Sequence, residues 1–172
     1  MKITVKIVGS LLDAARRDLS QRHPFAHERV GFFAAGATYD AHGLILVVRS
    51  YHPVADDDYE YAPRVGARIG ANAMRRAVQA AYRPPSALLH VHTHGGRGKP
   101  NFSSVDLESA EEFVPGFFQA VSRMPHGLLV LSGDAATGRL WLDPNDRAVS
   151  ITEFVRTDAT MNHEWSNRYE LA

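Results

Sequence analysis

The sequence predicts a single α+β domain, built as a mixed sheet with helices packed on it. Two observations carry that expectation. At 172 residues and 45% hydrophobic composition, the chain can bury one continuous core but is too short for two conventional domains. Its patterns run in the order β-α-β-β-α-β-α-β-β with no internal repeat or low-complexity block, and such interleaving belongs to α+β and mixed-sheet folds.

Each element has a local reason. Residues 2–8 alternate apolar and polar side chains and read as a strand. Ser10 is expected to cap an amphipathic helix over residues 11–22, with Leu11, Leu12, Ala15 and Leu19 on one side. Residues 29–38 and 44–51 are rich in apolar, β-branched and aromatic residues. They flank the turn residues Tyr39-Asp40-Ala41-His42-Gly43 and should pair antiparallel. Asp56-Asp57-Asp58-Tyr59-Glu60 reads as an exposed, solvated acidic loop, and Pro63 is expected to start an Ala- and Arg-rich helix reaching about Tyr82, which Arg83-Pro84-Pro85 ends. A buried strand over residues 87–91 and a flexible glycine-rich loop over residues 95–100 follow. The next helix should begin at Ser103, break at Pro115-Gly116 and resume over residues 117–124. Strands over residues 127–132 and 139–142 enclose a tight loop, and residues 149–155 supply a last strand. The domain is placed at residues 1–156 and a polar tail at residues 157–172, with Phe32, Phe33, Phe117, Phe118 and Trp141 expected in the core.

Composition removes several function classes. Lys plus Arg and Asp plus Glu both number 19, so no global positive field favours nucleic acid or an anionic membrane as partner. The absence of cysteine excludes disulfides, thiolate metal ligands and a cysteine nucleophile. The first residues lack a signal-peptide apolar block and no later run would span a bilayer, so a cytoplasmic protein is expected.

Chemistry concentrates in His90-Val91-His92-Thr93-His94 and the nearby Ser103-Ser104-Val105-Asp106. Residues two apart on a strand share a face, so His92 and His94 can converge on one ion, while His90 follows apolar residues and should lie deeper. Asp106, on the first turn of the following helix, can supply a carboxylate to the same ion. Ser-x-x-Asp also has a purely structural reading as a capping box. Two imidazoles and a carboxylate suit zinc with one open position, although the same donor set also suits non-haem iron. The Ser103 hydroxyl can donate to an oxyanion. Hydrolysis further needs a general base, for which Glu28 is a candidate; its structural alternative is an exposed carboxylate paired with Arg29.

Taken together, Glu28, then His92-Thr93-His94, then Ser103-Ser104-Val105-Asp106 resemble the pattern of the JAMM (JAB/MPN+) zinc metallopeptidases. Glu28-Arg29-Val30-Gly31 resembles that family's Glu-x-x-Gly context. Gly95 stands where a proline is common, Val30 where a cysteine is usual, and the glycine-rich loop is similar to that of bacterial, deubiquitinase-like members. The resemblance covers roughly residues 5 to 155. It implies a JAB/MPN-like fold, a single-domain mixed curved β-sheet flanked by helices with cytidine-deaminase-like layering. It implies zinc held by His92, His94 and Asp106, Glu28 as general base and acid, and Ser103 as oxyanion donor. The implied substrate is a ubiquitin or ubiquitin-like protein, or its conjugate, cut after its C-terminal glycine in deconjugation or maturation. Activating (E1-like) and conjugating (E2-like) operon partners within an antiphage system are implied as well. Strand addition at a sheet edge beside the site would hold the extended tail. The alternatives are a peptidase trimming a sulfur-carrier tail and a non-catalytic MPN-type binding module.

Overall fold

The computed structural model describes residues 1–22, 26–61 and 66–158. Its elements in chain order are β1 (Lys2–Val8), α1 (Gly9–Leu19), β2 (Val30–Tyr39), β3 (Gly43–Pro53), a 3-10 turn at Asp56–Asp58, α2 (Ala71–Tyr82), β4 (Ala87–Thr93), α3 (Ser104–Ala120), β5 (His126–Leu131), β6 (Ala136–Trp141), β7 (Val149–Ser150) and β8 (Glu153–Thr157). The strands form one sheet in the order β7-β6-β5-β4-β2-β3-β1-β8. β1 runs parallel to β3 and β8, and β4 parallel to β5, while the other neighbours are antiparallel. The fold is thus α+β, with a mixed sheet and three α-helices.

The sheet curls. β7 and β8 sit at opposite ends of the strand order, yet only Ile151 and Thr152 separate them in sequence. The two amides between them donate to opposite edges, Ile151 to the Gly138 carbonyl and Thr152 to the Ile3 carbonyl, both at 3.0 Å. A flat sheet of this width could not satisfy both, so the sheet bends until its ends meet, the curvature that mixed twisted sheets accumulate.

Period-2 alternation sends side chains to two cores. On the inner face Ile3, Val5, Leu46, Leu89 and Val91 pack with Leu12, Ala15 and Leu19 of α1. On the outer face Phe32, Leu88 and Leu128 pack with Ala73 and Ala77 of α2 and Val114 and Phe117 of α3. The expected core aromatics Phe32, Phe33, Phe117, Phe118 and Trp141 are all buried. Truncating one of the fully buried rings, Phe32 or Phe117, to Ala would cost ~3–5 kcal/mol. Among the described residues, no helix is long and apolar enough to cross a membrane.

Several elements differ from the sequence expectation. α1 begins at Gly9 rather than beyond Ser10 and ends at Leu19; Val8 precedes it and no side chain caps it. Ser10 therefore lies inside the helix. α3 runs unbroken through Pro115, because Pro115 and Gly116 face solvent. There, water can take the carbonyl that proline leaves without a donor, while Val114, Phe117 and Phe118 keep the helix seated. The expected single strand over residues 149–155 is two strands on opposite edges of the sheet. The acidic 56–60 segment is not a solvated cluster: Asp56 pairs with the buried Arg29 at 2.7 Å, and the Asp58 carboxylate, itself buried, pairs with Arg76. α2 starts at Ala71, and Pro63, its expected start, lies outside the described residues, as does most of the expected 157–172 tail. The sheet's free edges are β7 and β8, whereas β4 has β2 on one side and β5 on the other. Among the described residues, no edge for strand addition therefore adjoins the histidines.

Candidate metal centre

Strand register assembles most of the site. On β4 the residues Leu88, His90 and His92 point to the outer face, opposite Leu89 and Val91. Antiparallel pairing sets Phe32 against His90 and Val30 against His92. Two residues past the end of that ladder the same register sets Glu28 opposite His94. A carboxylate more than sixty residues away in sequence thereby reaches the histidines.

The ligand-type atoms converge. His92 Nε2 and His94 Nε2 are 3.1 Å apart. Asp106 Oδ1 is 3.3 Å from His92 Nε2, and Asp106 Oδ2 is 3.4 Å from His94 Nε2. Glu28 Oε1 is 4.0 Å from His94 Nε2. Single ligand atoms from Glu28, His92 and His94 all fall within 4.8 Å of one another, a group that could hold a metal ion. Two neutral imidazoles can share only one N–H between facing nitrogens, and two carboxylates add only acceptors. A shared cation resolves that crowding of lone pairs, and ligand atoms about 2 Å from a tetrahedral ion would lie roughly 3.3 Å apart. The His92–His94 spacing matches this value; Asp106 approaches each imidazole within 3.4 Å through a different carboxylate oxygen, and Glu28 completes a group that could hold an ion.

Asp106 serves the cap and the site together. Ser103 is the N-cap of α3; its Oγ accepts the Asp106 N–H at 3.1 Å, and Asp106 Oδ2 accepts the Ser103 N–H at 2.7 Å. The capping box of the motif is thus present, and it leaves the Asp106 carboxylate within 3.4 Å of both imidazoles. Burial works to raise the Asp106 pKa, but hydrogen bonds from His92 and from Ser103 hold it well below the usual carboxylate range. Ser103 is exposed, and its hydroxyl accepts the Asp106 backbone N–H and sits against the Asp106 carboxyl group.

Glu28 is held by its neighbours. Its N–H donates to the Gly66 carbonyl at 2.9 Å. Arg29 points away from it, with Nε donating to the Gln21 carbonyl at 3.1 Å and Nη2 paired with Asp56. The Val30 N–H donates to the Tyr59 hydroxyl at 2.9 Å. The alternative of Glu28 as a surface partner of Arg29 therefore does not hold. Gly31 matters for space: a Cβ there would lie 2.5 Å from the Tyr51 ring, and the Tyr51 hydroxyl ties β3 to α1 through Asp18 at 2.6 Å.

The glycine-rich segment after His94 is not the loose loop expected of it. Gly95, Gly96 and Gly98 take left-handed φ angles of 68°, 64° and 84°, which side chains with a Cβ rarely adopt. The β5–β6 turn then pins the segment: Gly133 N–H donates to the Gly96 carbonyl at 2.9 Å, Ser132 Oγ donates to the Gly98 carbonyl at 2.7 Å, and Asp134 accepts the Gly98 N–H at 2.6 Å.

His90 stands outside the cluster, though not more deeply buried than His92, which is 2% exposed while His90 is intermediate. Its ring packs between Phe32 and Phe113, with centroids 5.4 and 5.0 Å away. Burial, with His92 beside it, pushes its imidazole down to about 3, so it is a neutral packing group. The Nδ1 atoms of His90 and His92 are buried with no hydrogen-bond partner among the described residues.

The sequence pattern named Glu28, His92, His94, Ser103 and Asp106, and the structure brings all five together. It gave Asp56, Tyr59 and Gly66 no part in the site and read Arg29 only as a partner for Glu28, because their contacts depend on tertiary packing. No known protein-family profile matches the chain, and no curated protein does. Among solved structures, the Trichoplax adhaerens STIL N-terminal domain is similar with a TM-score of 0.41 and 11% identity, over 80% of this chain and 40% of that one. The match thus spans less than half the length of that domain.

Proposed function

We propose that the protein is a zinc-dependent peptidase or isopeptidase of the JAMM type, with JAB/MPN-like layering, that cleaves after the C-terminal glycine of a ubiquitin-like protein. The convergence of His92, His94 and Asp106 within 3.4 Å, with Glu28 4.0 Å from His94, carries this reading. His92, His94 and Asp106 would hold the ion. Zinc, when bound, supplies a Lewis acid that polarises the scissile carbonyl and activates water.

The remaining chemistry falls to the chain's own side chains. Glu28 Oε1 lies within reach of the water that would attack, so it can take that water's proton and deliver it to the leaving amine. The Ser103 O–H is positioned by the cap to donate to the oxyanion that forms on the substrate carbonyl, a contact that strengthens as charge develops. Gly95 and Gly96, lacking side chains, leave the approach to His94 open to an extended polypeptide.

The test is cleavage of ubiquitin-like proteins carrying C-terminal extensions by wild type, Glu28→Gln and chelator-treated protein, with bound metal measured in each. The reading expects about one zinc per chain, turnover by wild type alone, and zinc retained in Glu28→Gln. Zinc lost with Glu28→Gln would make Glu28 a ligand instead of the base. A zinc-loaded wild type inert towards every modifier would favour a binding module.

A further inference from the structure

A cavity of about 680 Å³ opens beside the site, and Arg16, Arg17 and Arg22 line it together with Glu28, His94 and Gly96. The chain has no net charge, so three guanidinium groups against one carboxylate are a local excess. Arg16 and Arg17 lie in the last turn of α1, where cations suit the helix dipole, but Arg22 lies beyond the helix and gains nothing from it. None of the three arginines forms an ion pair among the described residues, and the buried Nε of Arg16 has no hydrogen-bond partner there.

Two nearby carboxylates are paired with other cations, Asp13 with Arg156 at 2.8 Å and Asp134 with Arg97 at 3.2 Å. Asp18 keeps its charge, since its hydrogen bond at 2.6 Å comes from the neutral Tyr51 hydroxyl, but with Glu28 it leaves the three cations in excess. The positive charge is therefore presented to whatever enters the cavity. Low-dielectric walls focus that field on an entering chain, and like charge there is penalised.

Resting on the peptidase reading, we propose that this cleft selects a polypeptide whose residues flanking the scissile glycine are acidic, and that Arg16, Arg17 and Arg22 are its specificity determinants. Among the described residues, no sheet edge adjoins β4, so the cleft between α1 and the Gly95–Gly96 turn takes the place of strand addition in seating the tail. Lysine- or arginine-rich flanks would be rejected.

The probe is a set of fluorescent peptides of equal length, each with a central Gly-Gly and flanked by Glu, Gln or Lys. Binding is measured by anisotropy on zinc-loaded Glu28→Gln protein, with and without the added pair Arg17→Glu and Arg22→Glu. Both arginines are exposed, so charge reversal should leave the fold intact, which a thermal melt confirms. The Glu peptide should bind roughly tenfold tighter than the Lys peptide, the size that a few partly exposed ion pairs supply together. The preference should vanish or invert on charge reversal, and shrink as ionic strength rises from about 0.05 to about 0.5 M. Equal affinities, a preference indifferent to charge reversal, or no binding by the Glu peptide would overturn the proposal. Turnover by wild type is scored separately. Cleavage without charge preference removes the selectivity and leaves the peptidase, whereas charge-selective binding without cleavage does the reverse.

Discussion

Gly66 touches Glu28 twice, through its carbonyl and through the side chain it lacks. The carbonyl accepts the Glu28 N–H at 2.9 Å, and a Cβ built on Gly66 would lie 2.9 Å from Glu28 Oε2. Gly66→Ala therefore leaves the backbone bond in place and pushes the carboxylate aside. Because the displaced atom is the far end of a flexible side chain, the stability cost should be under about 1 kcal/mol. A small misplacement of a base can cost on the order of 100-fold in rate. The expected outcome is a kcat reduced ~10- to 100-fold, with unchanged zinc content and little change in Tm. An unchanged kcat would show that Glu28 does not need this cradle.

Arg29 and Asp56 form the ion pair that anchors the start of β2. Arg29 is 8% exposed and pairs with Asp56 at 2.7 Å. Asp56→Ala would leave a nearly buried guanidinium without its counter-charge, costing about 1–3 kcal/mol of stability. Chemical denaturation measures the loss. Asp57→Ala serves as a control, since Asp57 is exposed and forms no ion pair among the described residues, and it should change stability by no more than ~0.5 kcal/mol.

What was legible in the sequence, and what was not, follows from how far each signal reaches. Period-2 patterning on β4 put His90, His92 and His94 on one face without reference to anything else. Ser103 and Asp106 were legible because a capping box is a local motif. Glu28 became legible only through the family resemblance, because its partnership with His94 depends on a β2–β4 register that no local pattern encodes. Residues 149–155 misled for the same reason: two short edge strands look like one strand unless the curl of the sheet is known. Pro115 misled because local propensity cannot tell that its side of α3 faces water. The acidic 56–60 segment read as solvated because the buried arginine that claims Asp56 lies at the far side of the strand pair in sequence.

Asp106 and Ser103 can be separated by substitution, since both serve the cap while, as proposed, one also serves the ion and the other the oxyanion. In Asp106→Asn the amide oxygen can still accept the Ser103 N–H, so helix stability should fall by less than ~1 kcal/mol, while zinc affinity falls sharply through loss of an anionic ligand. In Ser103→Ala the cap bond to the Asp106 N–H is lost, costing ~0.5–2 kcal/mol, and zinc stays bound. Calorimetric zinc titration paired with thermal melts reads both. Zinc affinity unchanged in Asp106→Asn would move the third ligand to Glu28.

His126 sets a pH limit on the fold that is independent of the metal. It is fully buried; Nδ1 accepts the Leu88 N–H at 3.0 Å and Nε2 donates to the Val121 carbonyl at 3.0 Å. Both nitrogens are committed with the ring neutral, and adding a proton to Nδ1 would set a donor against the Leu88 N–H. Burial pushes the imidazole down to about 4, against a weaker opposing effect of the Val121 carbonyl. The sign follows from proton counts. An unfolded chain protonates this ring below a pH of about 6.5, whereas the folded chain does so only near pH 4. Stability from this group is thus constant above about pH 6.5 and declines as pH falls towards about 4, by at most ~1.4 kcal/mol per pH unit. Urea unfolding at pH 7.5, 6, 5 and 4.5 on chelated protein, compared with His126→Gln, should show the variant less stable at pH 7.5 but with a shallower loss in acid. Parallel curves would mean that His126 keeps the same proton count in both states, and the acid limit would then lie with other groups.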